Sequence, residues 1–427
     1  MTRCDGGTFD YVDNVSISFG PDGVVQLSAK VSDDHGASGR VAARSADGGL
    51  TWSTPFLLAA EYRSDQGTYA GGSITSDPSG RRVYSVVPKF STPTAAGGSF
   101  RGQVFVNRSL DAGATWSPAR KILDTGDGRL ATGDQIVVLP DGTLAHLFTL
   151  IDTPAHPVAH IAVMRSTDHG RTWSTPTIVA RLGSNFVTDP ETGDPVQRGS
   201  SLLADAAVDP ATGRIYLAWQ DARWNGGQAD AIALSSSADG GRTWSEPVKV
   251  NATPVAIPLK NQQAFTPSVD VTADGTVAVD YYDFRHNDGG ASLLTDRWLV
   301  TCRPARHGSC TTPGAYGREV RLTGASFDIR RAPRLTTDGP SGFYLGNTMG
   351  LAHTRRDFIS AFAQPADGDP AAIYAVSCVI ARVGGCFILD RGVMSRYEPA
   401  VSRSRARGVD VLPAVCLALR CQGNGGR

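Results

Sequence analysis

Two short segments set an aromatic ring, a carboxylate and a guanidinium at the same spacing. WQDARW at 219–224 and YYDFRH at 281–286 share the pattern aromatic-x-Asp-x-Arg, with Asp221 and Arg223 in the first and Asp283 and Arg285 in the second. A guanidinium presents a planar fork of donors that grips a carboxylate or other paired oxygens bidentately, so such residues suit a polar ligand. Asp13, Asp134 and Asp205 stand at corresponding places before or at the start of three apolar-alternating segments. The loop VTDPETGDPVQRGS at 187–200 adds Glu191, in a chain where Glu is scarce, and Arg198. Each residue also has a plain reading, in which Asp and Arg pair with a neighbour and Glu191 is an ordinary exposed loop residue. Taken together they read better as a ligand site, because the elements that carry them point them toward one concave mouth.

Those elements are hairpins. VSISFGPDGVVQLSAKV, SITSDPSGRRVYSVV, IVVLPDGTLAHLFTL, AAVDPATGRIYLAWQ and PSVDVTADGTVAVDYY each alternate apolar and polar residues around a turn with Gly where a positive φ is needed. A weaker sixth copy runs over NTMGLAHTRRDFISAFAQ, at 347–364. Between them a ten-residue phrase recurs four times, at 44–53, 108–117, 165–174 and 236–245, of which RSTDHGRTWS is one. A period of roughly 60 residues with two hairpins per unit describes a four-stranded sheet, the blade of a β-propeller. No segment has the pattern of an amphipathic helix. The phrase falls at the turn between third and fourth strands, so it occupies one edge of each sheet. The aromatic-x-Asp-x-Arg segments follow second strands and occupy the other. In the phrase, Asp47, Asp111, Asp168 and Asp239 can accept hydrogen bonds from their own turn, and Trp52, Trp116, Trp173 and Trp244 supply apolar plates.

The pattern S-x-D-x-G-x-T-W in the four phrases resembles the Asp box of sialidases and related propellers. The resemblance covers about residues 1–376 and is nearest to secreted actinobacterial proteins of that superfamily. It implies an all-β, six-bladed propeller of sialidase type, with a seven-bladed ring lacking its first blade as the alternative. It also implies structural, peripheral Asp boxes. For a sialidase, Arg residues must clamp the substrate carboxylate. A neutral Tyr must attack, because a carboxylate would be repelled, with a Glu to activate it and a separate Asp as general acid. By face and chemistry the candidates are Arg223, Arg285 and Arg198 for the clamp and Tyr281, Tyr282 or Tyr344 for the nucleophile. Glu191 is the candidate base and Asp13 or Asp65 the acid, while Asp134, Asp205, Asp221 and Asp283 line the mouth. The family's Phe/Tyr-Arg-Ile/Leu-Pro motif is absent from these 427 residues, so no catalytic residue is carried over by motif. Two functions follow as expectations: an exo-α-sialidase-type glycoside hydrolase, or a propeller that binds glycan or protein without turnover. A serine-hydrolase mechanism has no G-x-S-x-G to support it.

Composition narrows the partners. The 41 basic and 41 acidic residues cancel, and no basic run is interleaved with aromatics in the folded part, which argues against nucleic acid. No apolar run reaches the roughly 20 residues of a membrane helix. Cys302 and Cys310, Cys378 and Cys386, and Cys416 and Cys421 stand as local pairs of the kind found in exported proteins, with none in CxxC spacing for zinc. The expectations are therefore a secreted, monomeric protein that takes a glycan or glycoconjugate and needs no cofactor. Calcium held by Asp134, Asp205 and nearby carbonyls is the weak alternative. Cys4 has no near partner and Met1 is not followed by an export signal, so an upstream portion is expected. Residues 377–427 are Arg-rich and lack the hairpin pattern, and are expected to form a disordered or aberrant tail.

Overall fold

The computed structural model describes residues 9–62, 67–91, 100–152, 158–197, 201–304, 308–335, 341–354, 357–380 and the backbone of 386–393. It is all-β, with only short 3-10 turns besides strands among the described residues. The chain divides into two compact units, one built from residues up to Ile178 and one from Val179 to Tyr397.

The first unit holds three antiparallel stacks. Tyr11–Phe19, Val25–Ser32, Ser38–Ser45 and Phe56–Glu61 form a four-stranded meander. Ser73–Ser76, Val83–Ser91, Arg101–Ser109 and Arg120–Asp127 form the second stack. Arg129–Val138, Leu144–Asp152 and Val158–Ser166 build the third, joined to the second by a single parallel pair, Arg129 with Arg101. Their first strands run side by side: Ile74 N and Ser76 N donate to the hydroxyls of Ser16 and Ser18, and Ile136 N donates to that of Ser73. Short polar side chains thus satisfy first-strand N–H groups that no neighbouring strand reaches.

The second unit repeats the plan. Ala204–Val208, Ile215–Asp221, Ala231–Ser237 and Val248–Lys249 make one stack; Ala264–Val271, Val277–Asp283, Leu294–Cys302 and Val320–Arg321 make the next. The last consists of Gly350–His353, Asp357–Ala366, Asp369–Ile380 and Cys386–Val393. First strands again adjoin, through Val269 N to Asp205 Oδ2 at 2.8 Å and Ser268 Oγ to Met349 O at 3.2 Å. The expected boundary at residue 376 is corrected here. It falls inside Asp369–Ile380, which pairs with Cys386–Val393. The remainder of the expected tail, from 394 on, lies outside the described residues.

The repeated turn braces itself four times over. In the turn at 44–53, Asp47 accepts from Thr51 N at 2.9 Å and Thr51 Oγ1 at 2.6 Å, while Ser45 Oγ reaches Gly49 N at 2.8 Å. The same bonds recur around Asp111, Asp168 and Asp239. The Thr hydroxyls and N–H groups hold Asp47 and Asp111 at about 2, and Thr243 does so for Asp239 against the opposing effect of burial. The residue after the Asp is left-handed even where it is Ala112 (φ 56°) or His169 (φ 59°), so the hydrogen bonds override a backbone preference that favours Gly. Trp116 packs against Ala42, Leu58, Ile74 and Val83, filling the seam between the first two stacks.

The phrase also reaches outward. Its leading Arg donates to the next turn in the chain: Arg44 Nη1 to Ala112 O at 3.4 Å and Arg108 Nη1 to His169 O at 3.0 Å. In the fifth stack a disulfide, Cys302–Cys310, stands at the turn where the phrase would be. Ser236 Oγ of the preceding stack meets Thr311 Oγ1 beside it. Cys378 is disulfide-bonded as well, while Cys4, Cys416 and Cys421 lie outside the described residues. Replacing Cys302 and Cys310 with Ser reopens a short loop and is expected to cost roughly 2–3 kcal/mol. Chemical denaturation of the double variant beside the parent checks this.

Candidate functional site

Strand register assigns the two edges. In the fourth stack Ile215 pairs with Ser237, where the repeated turn begins, and Asp221 pairs with Ala231 at the far end. In the fifth, Val277 pairs with Cys302 and Asp283 with Asp296. Both aromatic-x-Asp-x-Arg segments therefore leave the edge opposite the braced turns. The connection 183–197 and residues 341–349 meet on this same edge, where Gln197 N donates to Phe343 O and Gln197 Oε1 accepts from Leu345 N.

The guanidiniums here are already engaged. Arg285 bonds Asp283 Oδ2 through Nε at 2.7 Å and Glu319 Oε2 through Nη1 at 2.5 Å, and its plane lies 3.8 Å from the Trp298 ring centroid. Arg223 bonds Asp221 Oδ2 at 2.7 Å and lies over the Trp224 ring. Asp221 and Asp283 are buried and held by these arginines, Asp221 also accepting from Trp219 Nε1 and Asp283 from Thr253 Oγ1. These four residues form two ion pairs, as the plain reading has it. Arg198 lies outside the described residues.

Glu191 sits in a network whose other members carry no pattern in the sequence. Arg330 grips Asp189 through Nε (2.6 Å) and Nη2 (2.9 Å) and reaches Glu191 Oε2 at 2.6 Å. Asn287 Nδ2 donates to Glu191 Oε1 at 2.8 Å. Burial opposes ionisation of Asp189, but Arg330 and the N–H groups of Glu191 and Thr192 hold it well below the usual carboxylate range. Glu191 thus latches two connections together through Arg330 and Asn287. The partners stand 139 residues apart in the chain, a separation that leaves no local signal.

The phenols are corrected here. Tyr281 and Tyr282 have no exposed surface. Tyr282 donates to Ala363 O at 2.6 Å, its ring lies 4.5 Å beneath Arg297, and burial pushes its hydroxyl far above the ordinary phenol value. Tyr281 OH accepts from Arg285 Nη2 at 3.2 Å. Their alternation put both at the heart of a fully buried strand, Val277–Asp283. Tyr344, half-buried in the 341–349 segment, is the phenol this edge leaves partly open.

Asp205 is half-buried in the first strand of its stack. Burial raises it to about 7 against the pull of the Val269 and Ala206 N–H groups, with Asp270 and Asp280 adding to the rise. In the first unit, Asp13 is partly exposed and bonds Lys30 Nζ at 3.2 Å beside Asn14 Nδ2. Asp134 is buried against His146 Nε2 at 2.7 Å, which corrects its expected place at a ligand-lined mouth. Asp65 lies outside the described residues. Among the described residues, no group of three His, Cys, Asp or Glu side chains could hold a metal ion, and no helix is long and apolar enough to cross a membrane.

No protein-family model matches the chain, and no curated protein matches it in sequence. Solved structures do match. The Hadza microbial sialidase Hz136 superposes with a TM-score of 0.52 at 16% identity, covering 85% of this chain. The match spans 65% of that sialidase's length, less than two thirds. A protein of unknown function from Dyadobacter fermentans gives 0.50 at 16% identity, covering 86% of this chain and 94% of its own. The α-L-arabinofuranosidase Arb93A from Fusarium graminearum gives 0.48 at 13% identity, covering 87% and 94%. The chain therefore shares the fold of the Hadza microbial sialidase Hz136 and the Dyadobacter fermentans protein.

Two variants probe the site's electrostatics. Arg330→Ala leaves Asp189 charged and buried without its partner, which is expected to cost about 3–5 kcal/mol in denaturant unfolding. For Asp205 the folded value lies above the unfolded one of about 4, so its contribution to stability is full below pH 4 and is lost as pH rises through about 7. Asp205→Asn is expected to remove that fall, seen by comparing unfolding midpoints of parent and variant at pH 5 and pH 8.

Proposed function

We propose that this chain is a secreted, monomeric, six-bladed propeller of the sialidase-like glycosidase type, and that its connection edge recognises an uncharged glycan. The observation that carries the reading is the state of the arginines. Arg223, Arg285 and Arg330 each face at least one buried carboxylate, so none brings an uncompensated charge to a sugar carboxylate. Hydroxyl groups, in contrast, can be met by amides, half-buried carboxylates and aromatic faces of the sort this edge offers. Sialic acid is therefore disfavoured as the ligand, and turnover by a tyrosine nucleophile has only Tyr344 to draw on among the described candidates.

A second reading, hydrolysis of the same neutral glycan, is favoured by Asp205. A half-buried carboxyl raised to about 7 is protonated in about half the molecules at neutral pH, and that form can give its proton to a leaving sugar oxygen.

A fluorogenic sialoside and a panel of neutral arabino-, xylo-, gluco- and galacto-oligosaccharides separate these outcomes. Binding of a neutral member with no sialoside turnover is the expected result. Hydrolysis of a neutral member that vanishes in Asp205→Asn establishes the second reading. Sialoside turnover lost in Tyr344→Phe would overturn both and restore sialidase chemistry.

A further inference from the structure

Phe186 is held in a backbone conformation that its side chain disfavours. Its φ is +56°, in the left-handed region where a Cβ crowds the following carbonyl, and Phe has neither the freedom of Gly nor the local hydrogen bonds of Asn. Burial does not account for the choice of residue. Phe186 is 40% exposed, while the next residue, Val187, is the one that enters the core.

The surrounding residues enforce this conformation. Phe186 N donates to Ser184 Oγ at 3.2 Å, and Ser184 Oγ donates to Asp230 Oδ2 at 2.6 Å. Asn185 N reaches Asp230 Oδ1 at 2.7 Å, and Asn185 Nδ2 reaches Gln228 O at 3.0 Å. Asp230 is fixed in turn by Gln220 Nε2 at 3.0 Å, and Gln220 Oε1 accepts from Thr266 N. A buried carboxylate and two amides therefore fasten the 183–187 connection to the loop that follows the fourth stack's second strand. The ring itself is left toward water.

A conformation over-determined by its surroundings, at a residue that gains little from burial, is a mark of a functional position. An aromatic face presented to solvent on a rigid frame suits the apolar face of a sugar ring, where C–H groups meet π density while the hydroxyls remain free for side-chain amides. From this geometry we infer that Phe186 is a stacking platform for one ring of a neutral glycan, with the exposed Gln228 on the adjoining loop placed to bond its hydroxyls. This inference rests on the glycan-recognition reading and names a residue that performs it.

The test pairs two readouts on the full chain: binding to immobilised neutral arabino-, xylo-, gluco- and galacto-oligosaccharides, and the midpoint of thermal unfolding. Phe186→Gly relieves the backbone and removes the ring. The expected result is a midpoint raised by about 1–3 °C together with binding weakened at least about tenfold, and Phe186→Trp restoring most of the affinity. Unchanged binding in Phe186→Gly, with the parent binding normally, overturns the platform and leaves glycan recognition standing. A lowered midpoint in that variant also overturns it, because the ring would then serve packing. Failure of the parent to bind any of the four sugar series removes the glycan reading itself, and the platform with it.

Discussion

Arg297 and Asp280, neither with any exposed surface, form the contact on which the second unit's arrangement depends. Their 2.6 Å pair joins the third and second strands of the fifth stack. The guanidinium continues to Thr266 O, at a bulge in the first strand where φ is +50°, and to Ser268 Oγ. Asp280 also accepts from Ser360 of the last stack. One charge pair thus fixes a first-strand bulge, three strands of one sheet and the seat of the next. Arg40 does part of this in the first unit, where it reaches Asn14 O, Ser28 Oγ and Gly72 O. It has no carboxylate in its first shell of bonds, and burial lowers it to about 9. Isolated from water, such groups are costly unless most of their donors are placed, and although Arg40 Nε and Arg297 Nε find no partner, the Nη bonds favour one register for the strands around them.

With the bulges fixed, the two edges of each stack take different work. At one edge, short turns close mainly on their own Asp, Ser and Thr side chains. At the other, connections are longer and are tied by charges from far along the chain: Asp189 and Glu191 to Arg330, Asp283 and Glu319 to Arg285. These ties consume the very groups that sequence chemistry offers to a ligand. What they leave exposed or half-buried at this edge are amides, carboxyls and the Phe186 ring.

The fold was largely legible in the sequence because its determinants are local. Alternation and Gly turns located the hairpins, and the repeated phrase located the third-to-fourth turns. The exceptions were at the end, where the 369–380 strand crosses the expected boundary at residue 376. The site was far less legible. Tyr281 and Tyr282 sit in an aromatic run that reads equally well as core or as site, and only burial on both faces of the strand distinguishes them. Arg330, in DIRR, looks like any surface arginine until its partners are brought from the 187–197 connection. Phe186 carries no signal at all, since a dihedral angle is invisible in a one-letter code.

The arginines that open the repeated phrases have a direction. Arg44 serves the turn at Asp111 and Arg108 the turn at Asp168, both from an earlier stack to a later one. Within the first unit, support is therefore handed from one stack to the next, as in a row of leaning dominoes. The turns at Asp111 and Asp168 thus emerge after the arginines that brace them, and fraying of the N-terminal stack withdraws Arg44 from the turn that follows it.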